Sequence, residues 1–178
     1  SVLEELKRLL DEHRERLERL IRELRKLNED HDRRIKELIE RLKKLNEDIA
    51  KRIEDLKRDG RKVDEEVEEI LKRAREEHRR LEEEVRESTE RLKRKHDRVK
   101  EEVEDSSREL KERLDRLRDG ADEDVLRKIE EDIKRLNREV EKAIRESEEN
   151  IKRTNKRFKD ELRKSEKHLE ELVKRFRD

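Results

Sequence analysis

The chain has 178 residues, with 55 Lys+Arg against 55 Asp+Glu, a formal net charge of zero, 62% charged residues and 27% hydrophobic ones. Two Gly and no Pro, Cys, Met, Trp or Tyr exclude disulfides, thiolate chemistry and the turn chemistry of a multi-stranded sheet. No apolar run approaches the ~20 residues of a membrane span, and the N-terminus lacks the pattern of a signal peptide.

So few apolar residues among so many charges would suit a disordered chain. The spacing opposes that reading: a narrow helical seam needs only 2 apolar positions in 7, and the remaining positions are mostly good helix formers of balanced sign. Gly60 and Gly120 divide the chain into near-equal thirds, which predicts helices over about 2–58, 64–118 and 123–177, with loops at about 59–63 and 119–122.

The first helix opens on Ser1-Val2-Leu3-Glu4, a capping box, and closes on Lys57 and Arg58 before Asp59-Gly60. Its seam includes Leu3, Leu6, Leu10, His13, Leu17, Leu20, Leu24, Asn28, His31, Ile35, Leu38, Leu42, Asn46, Ile49, Ile53 and Leu56. A shift of 18 superimposes this seam on itself: His13, His31 and Ile49; Leu17, Ile35 and Ile53; Asn28 and Asn46. Eighteen residues make five turns at 3.6 per turn, so a seam of this period follows a nearly straight helix, whereas a heptad seam would supercoil left-handed.

The second helix, opened by Asp64, Glu65 and Glu66, repeats likewise through Val63, Leu81, Val99 and Leu117, and through His78 and His96. Gly60 and Gly120 are both expected to adopt the left-handed conformation that stops a helix. Asp122 is the expected N-cap of the third helix, whose seam carries Ile129, Ser147 and Ser165, and Val140, Phe158 and Phe176. Acidic starts and basic ends complement each helix dipole. Short connections make neighbours antiparallel, so the fold class is all-α: a single-domain, up-down-up three-helix bundle, a coiled-coil-like rod of roughly 85 Å at 1.5 Å per residue.

Many seam positions are polar. A fold-back that sets residue n of the first helix level with 120−n and 120+n, give or take a turn, assembles three clusters. His13 meets Ser106, Ser107 and Asn137; Asn28 and His31 meet Ser88, Thr89, His96 and Ser147, with Asn150 at the edge; Asn46 meets His78 and Ser165. An unpartnered buried polar group costs ~1–3 kcal/mol. Grouped by level, these residues satisfy one another and fix which helix faces which, excluding slips by one repeat.

Other chemistry finds no support in the residues. The five histidines never come within 18 positions of one another, far from the i,i+4 spacing of helical metal pairs, and no nucleophile-base-orienter set survives the fold-back. No metal, cofactor, substrate or enzymatic activity is therefore expected. No helix carries a basic excess, and there are no stacking aromatics for nucleic acid; Phe158 and Phe176 sit on the seam as core rather than as membrane anchors. Protonation of buried His13, His31, His78 and His96 would weaken the bundle in acid, and a wide apolar stripe could receive a partner helix or a second copy.

Taken over its whole length, the chain resembles computationally designed helical bundles with buried hydrogen-bond networks. The residues that carry this are the thirds set by Asp59-Gly60 and Asp119-Gly120, the regular repeat of the seam, and Asn, His and Ser at shared levels. The resemblance implies a stable scaffold, most simply a monomer, with no biological activity; the alternatives are a helix-mediated assembly module and a pH-responsive bundle.

Overall fold

The computed structural model describes residues 1–60 and 64–177. It contains three long helices, α1 (Val2–Arg58), α2 (Asp64–Leu117) and α3 (Glu123–Arg177), and a short 3-10 turn at Arg118–Gly120, with no strand among the described residues. Val63 of the expected second-helix seam lies outside the described residues.

The helix ends follow local chemistry. Glu4 N–H donates to Ser1 Oγ at 3.4 Å, and the terminal amine pairs with the Glu4 carboxylate at 3.8 Å, so the capping residues act as a box. At the other end of α1, Gly60 has φ of 68° and its N–H donates to Lys57 O, the left-handed stop expected there. Gly120 behaves differently. It has no positive φ; α2 tightens into the 3-10 turn and Ala121 is extended. Glycine suits this place for reasons of space, since a Cβ there would sit 3.1 Å from Val2 Cγ2. Asp122 Oδ1 then accepts from Asp124 N–H at 3.0 Å and caps α3.

The chain forms two compact units, Ser1–Glu29 with Arg91–Asn150, and Asp30–Glu90 with Ile151–Asp178. Each contains a segment of all three helices, and in each α2 runs antiparallel to α1 while α3 runs parallel to it. In the first unit this order is read from Glu23 beside Lys95, His13 beside Ser106 and Asn137, and Asn28 beside Ser147. In the second it is read from Arg34 beside Glu84, His31 beside Ser88 and Asn155, and Asn46 beside Ser165. Both units are up-down-up three-helix bundles.

Leucine and isoleucine fill the levels between polar ones. Leu6, Leu17, Leu20, Leu24, Leu114, Leu126 and Ile133 are almost fully buried in the first unit. The second unit has two apolar clusters. One is Ile35, Leu38, Ile39, Leu42, Leu81, Val85, Phe158 and Leu162; the other is built on Ile49, Ile53, Val67, Leu71, Leu169, Val173 and Phe176. Each such side chain contributes about 1.5–3 kcal/mol on burial, so these levels carry the stability and the polar ones must avoid subtracting from it.

Candidate functional site

The polar side chains sit where the helical period turns the seam inward. His13, His31, His78, Thr89, His96, Ser106, Ser107, Ser147 and Ser165 are buried. Asn28, Asn46, Ser88, Asn137 and Asn150 are half-buried at the seam edges. The structure connects them into four sets, two in each unit, each built from all three helices.

The first set is centred on His13. Its Nδ1 lies 2.8 Å from Ser106 Oγ and its Nε2 3.2 Å from Asn137 Oδ1, while Asn137 Nδ2 donates to Ser107 Oγ at 2.9 Å. A carbonyl oxygen only accepts, so Nε2 carries the proton of the neutral ring and Nδ1 accepts from the Ser106 hydroxyl. Arg16 also donates to Ser106 Oγ at 3.1 Å, which leaves that hydroxyl with its one proton committed to the ring.

The set centred on His31 in the second unit repeats this wiring. Nδ1 lies 2.7 Å from Ser88 Oγ, Nε2 lies 3.1 Å from Asn155 Oδ1, and Asn155 Nδ2 donates to Thr89 Oγ1 at 2.9 Å. Thr89 passes its own proton to Val85 O at 2.8 Å, which completes the chain of donors. Every member stands one full repeat along its helix from its counterpart in the first set: His31 from His13, Ser88 from Ser106, Thr89 from Ser107 and Asn155 from Asn137.

The other two sets are related by the same repeat. In the first unit, Asn28 Nδ2 donates to Ser147 Oγ at 2.6 Å and to Leu24 O at 2.9 Å; His96 Nε2 lies 2.6 Å from the same Ser147 Oγ, and Asn150 Nδ2 donates to Asn28 Oδ1. In the second unit, Ser165 Oγ donates to Asn46 Oδ1 at 2.6 Å and meets His78 Nε2 at 3.2 Å. The place of Asn150 is taken there by His168, which is exposed.

Two expectations change. The middle cluster is divided: Asn28, His96, Ser147 and Asn150 belong to one unit, and His31, Ser88 and Thr89 to the other, where Asn155 joins them. His13 meets Asn137, as expected, and His31 meets Asn155, one turn beyond the level that the fold-back gave it. Asn155 was legible as the echo of Asn137 one repeat on. The second change concerns the seam: Leu3, expected to be part of it, is 44% exposed.

Burial is the main electrostatic influence on the histidines and holds all four below the ordinary 6.5. For His13 the Asn137 hydrogen bond opposes the shift and Arg16 adds to it. Asn155 and Asp32 oppose it for His31, and Glu166, Glu82 and Glu77 for His78; for His96, Glu148 and Asp97 oppose it and Lys100 adds to it. Outside the seam, Lys95 donates to Glu23 at 2.6 Å and holds that carboxyl below its usual range. Glu84 receives both Arg34 and Arg41, at 2.6 and 2.8 Å, across α1 and α2.

Two grooves mark the surface. One of about 770 Å³ lies between α2 and α3 of the first unit over Val103, Val140 and Ile144. The other, about 710 Å³, lies between α2 and α3 of the second unit over Leu71, Leu169 and Val173, with His78 and Glu166 in its wall. No group of three or more His, Cys, Asp or Glu suited to a metal ion occurs among the described residues, and no described helix is long and apolar enough to cross a membrane.

No protein-family model and no curated protein matches the chain. Among solved structures it is similar to a "Computationally designed three helix bundle", with 25% identity over 98% of this chain and 88% of that one, at a TM-score of 0.45.

Proposed function

We propose that the chain is a self-contained structural scaffold of designed type, a monomer without substrate or cofactor, whose buried polar sets select how its three helices pair. The observation that carries this is the recurrence of one wiring, His to Ser and His to Asn to Ser or Thr, at two places one repeat apart on each helix. A site evolved for one ligand has no need to occur twice with the same partners. Satisfied polar levels penalise every pairing that would leave a donor or acceptor alone. A slip of α1 by one whole repeat would set Ile49 against Ser88 and Asn155, so it too leaves polar groups alone.

The test is to make one level apolar, with His31→Leu, Ser88→Ala and Asn155→Leu together, and to measure mass by light scattering alongside unfolding. The triple variant is expected to stay helical, since replacing the three together avoids orphaned groups and Thr89 keeps its bond to Val85 O, but to lose its uniform mass of 22.2 kDa. A variant as uniformly monomeric as the parent would refute the pairing role. A parent of doubled mass would replace the scaffold with an assembly module.

A second reading is favoured by the histidines. All four lie on the seam, and burial depresses each in the same direction. Such a bundle responds to acid, because protonation sets a charge and an extra donor inside a core that has no place for them.

A further inference from the structure

His78 differs from the other histidines in one atom. The single proton of the Ser165 hydroxyl goes to Asn46 Oδ1, so the contact at His78 Nε2 requires the ring to donate there. The neutral ring then presents a bare lone pair at Nδ1. That atom is buried without a hydrogen-bond partner, unlike any other described buried side-chain nitrogen or oxygen. It faces Glu166 Oε1 at 3.9 Å, beyond hydrogen-bond reach, and both groups line the groove over Leu71, Leu169 and Val173. Two acceptors are thus set against each other with no hydrogen between them.

We propose that His78 and Glu166 form a proton-binding site in which His78 becomes charged without leaving its place in the fold. A proton from solvent adds to the Nδ1 lone pair and no bond is broken. Nε2–H still donates to Ser165, and the new Nδ1–H points at the carboxylate, which is half exposed and free to close the gap. The carboxylates around His78 oppose the effect of burial without overcoming it. From α2, Glu77 and Glu82 attract the cation and Arg75 lies along the groove; from α3, Glu166 attracts it, Glu170 and Lys174 line the groove, and Arg177 is already paired with Glu68 at 2.7 Å. The α1 partner, reached through Ser165, is the neutral Asn46.

His13 and His31 offer no such opening. Both ring nitrogens are committed, and a second proton would confront the hydroxyl hydrogen of Ser106 or Ser88 and force it to turn away. At His13 the Arg16 guanidinium on the same hydroxyl adds like-charge repulsion. Protonation of His13 or His31 therefore disturbs its own set, whereas the His78 set keeps its hydrogen bonds when His78 is charged. This assignment rests on the acid-responsive reading only for its biological sense; the geometry stands without it.

The experiment is nitrogen-edited NMR of the imidazoles in the full chain, titrated from about pH 8 to about pH 4.5, with His78 identified by its loss in His78→Gln. His78 is expected as the Nε2–H tautomer at high pH, with a midpoint above those of His13 and His31. Glu166→Gln, an exposed and fold-neutral change, is expected to lower that midpoint by about 0.5 pH unit. An Nδ1–H tautomer, a midpoint below that of His13, or no response to Glu166→Gln would each overturn the assignment. Unfolding measured on the same samples separates the two ideas. Unchanged stability in acid with His78 behaving as stated would sink the acid-responsive reading alone, and a stability loss with an inert Glu166→Gln would sink the His78 site alone.

Discussion

Moving from about pH 7.5 to about pH 5.5 is expected to weaken the fold steeply. His13, His31, His78 and His96 are each held below 6.5 by burial, and unfolding releases them to that value. Between 6.5 and its folded midpoint, each histidine binds a proton in the unfolded chain that the fold refuses. Their neutral burial therefore costs nothing above that range, and stability falls as the pH drops through it. A histidine that stays neutral in the fold accounts for at most about 1.4 kcal/mol per pH unit. All four together set a ceiling of roughly 5–6 kcal/mol per pH unit, and three, with His78 charged in place, set roughly 4. Either slope is large beside the ~5–15 kcal/mol of an ordinary domain. Glu23, held low by Lys95, adds a loss of the same sign only at more acid pH, where carboxylates titrate. The assay is guanidinium unfolding followed by circular dichroism at several pH values. Equal unfolding free energies at the two ends of the range would refute the reasoning.

Asn155→Ala should cost about 2–4 kcal/mol, because it orphans His31 Nε2 and removes the donor to Thr89 together; Asn137→Ala should cost a similar amount, and chemical unfolding compares them. Phe158→Ala should cost about 3–5 kcal/mol by opening a cavity between Ile35, Leu38, Leu81 and Leu162. Leu24→Asp should prevent stable folding, since it places an unpaired carboxylate at a position 1% exposed, and loss of helical circular dichroism would report it. Gly60→Ala should cost about 1 kcal/mol, because φ of 68° is strained for a residue with a Cβ. Gly120→Ala should cost less, within about 0.5 kcal/mol, provided that Val2, in the first turn of α1, yields to the new methyl group.

The helices were legible because each signal was local. Ser1, Asp59-Gly60 and Asp122 punctuate the chain, and the period between them is uniform. The seam residues other than the terminal Leu3 were legible for the same reason, down to Phe158 and Phe176, whose burial follows from their position alone. Partnership between helices was less legible, because it depends on where a connection turns. A shift of one turn in α3 exchanged Ile151 for Asn155 opposite His31 and divided a cluster that a symmetric fold-back had joined. Rotamer-level features lay beyond reach: that Arg16 leans on Ser106, that Ser165 gives its proton to Asn46, and that His78 Nδ1 is left alone are facts of side-chain orientation. Gly120 shows the limit of residue-type reasoning, since the same Asp-Gly pair that stops α1 by its backbone angle serves after α2 by its smallness.

The doubled wiring also makes the molecule divisible. Excising residues 14–31, 79–96 and 138–155 joins His13 to Asp32, His78 to Asp97 and Asn137 to Lys156, and each junction meets the residue that one full period predicts. What remains holds every member of the His13 set and of the His78 set. Polar chemistry is then a countable property of this chain, two copies of one wiring set eighteen residues apart on each helix, so a change made in one copy has its control in the other.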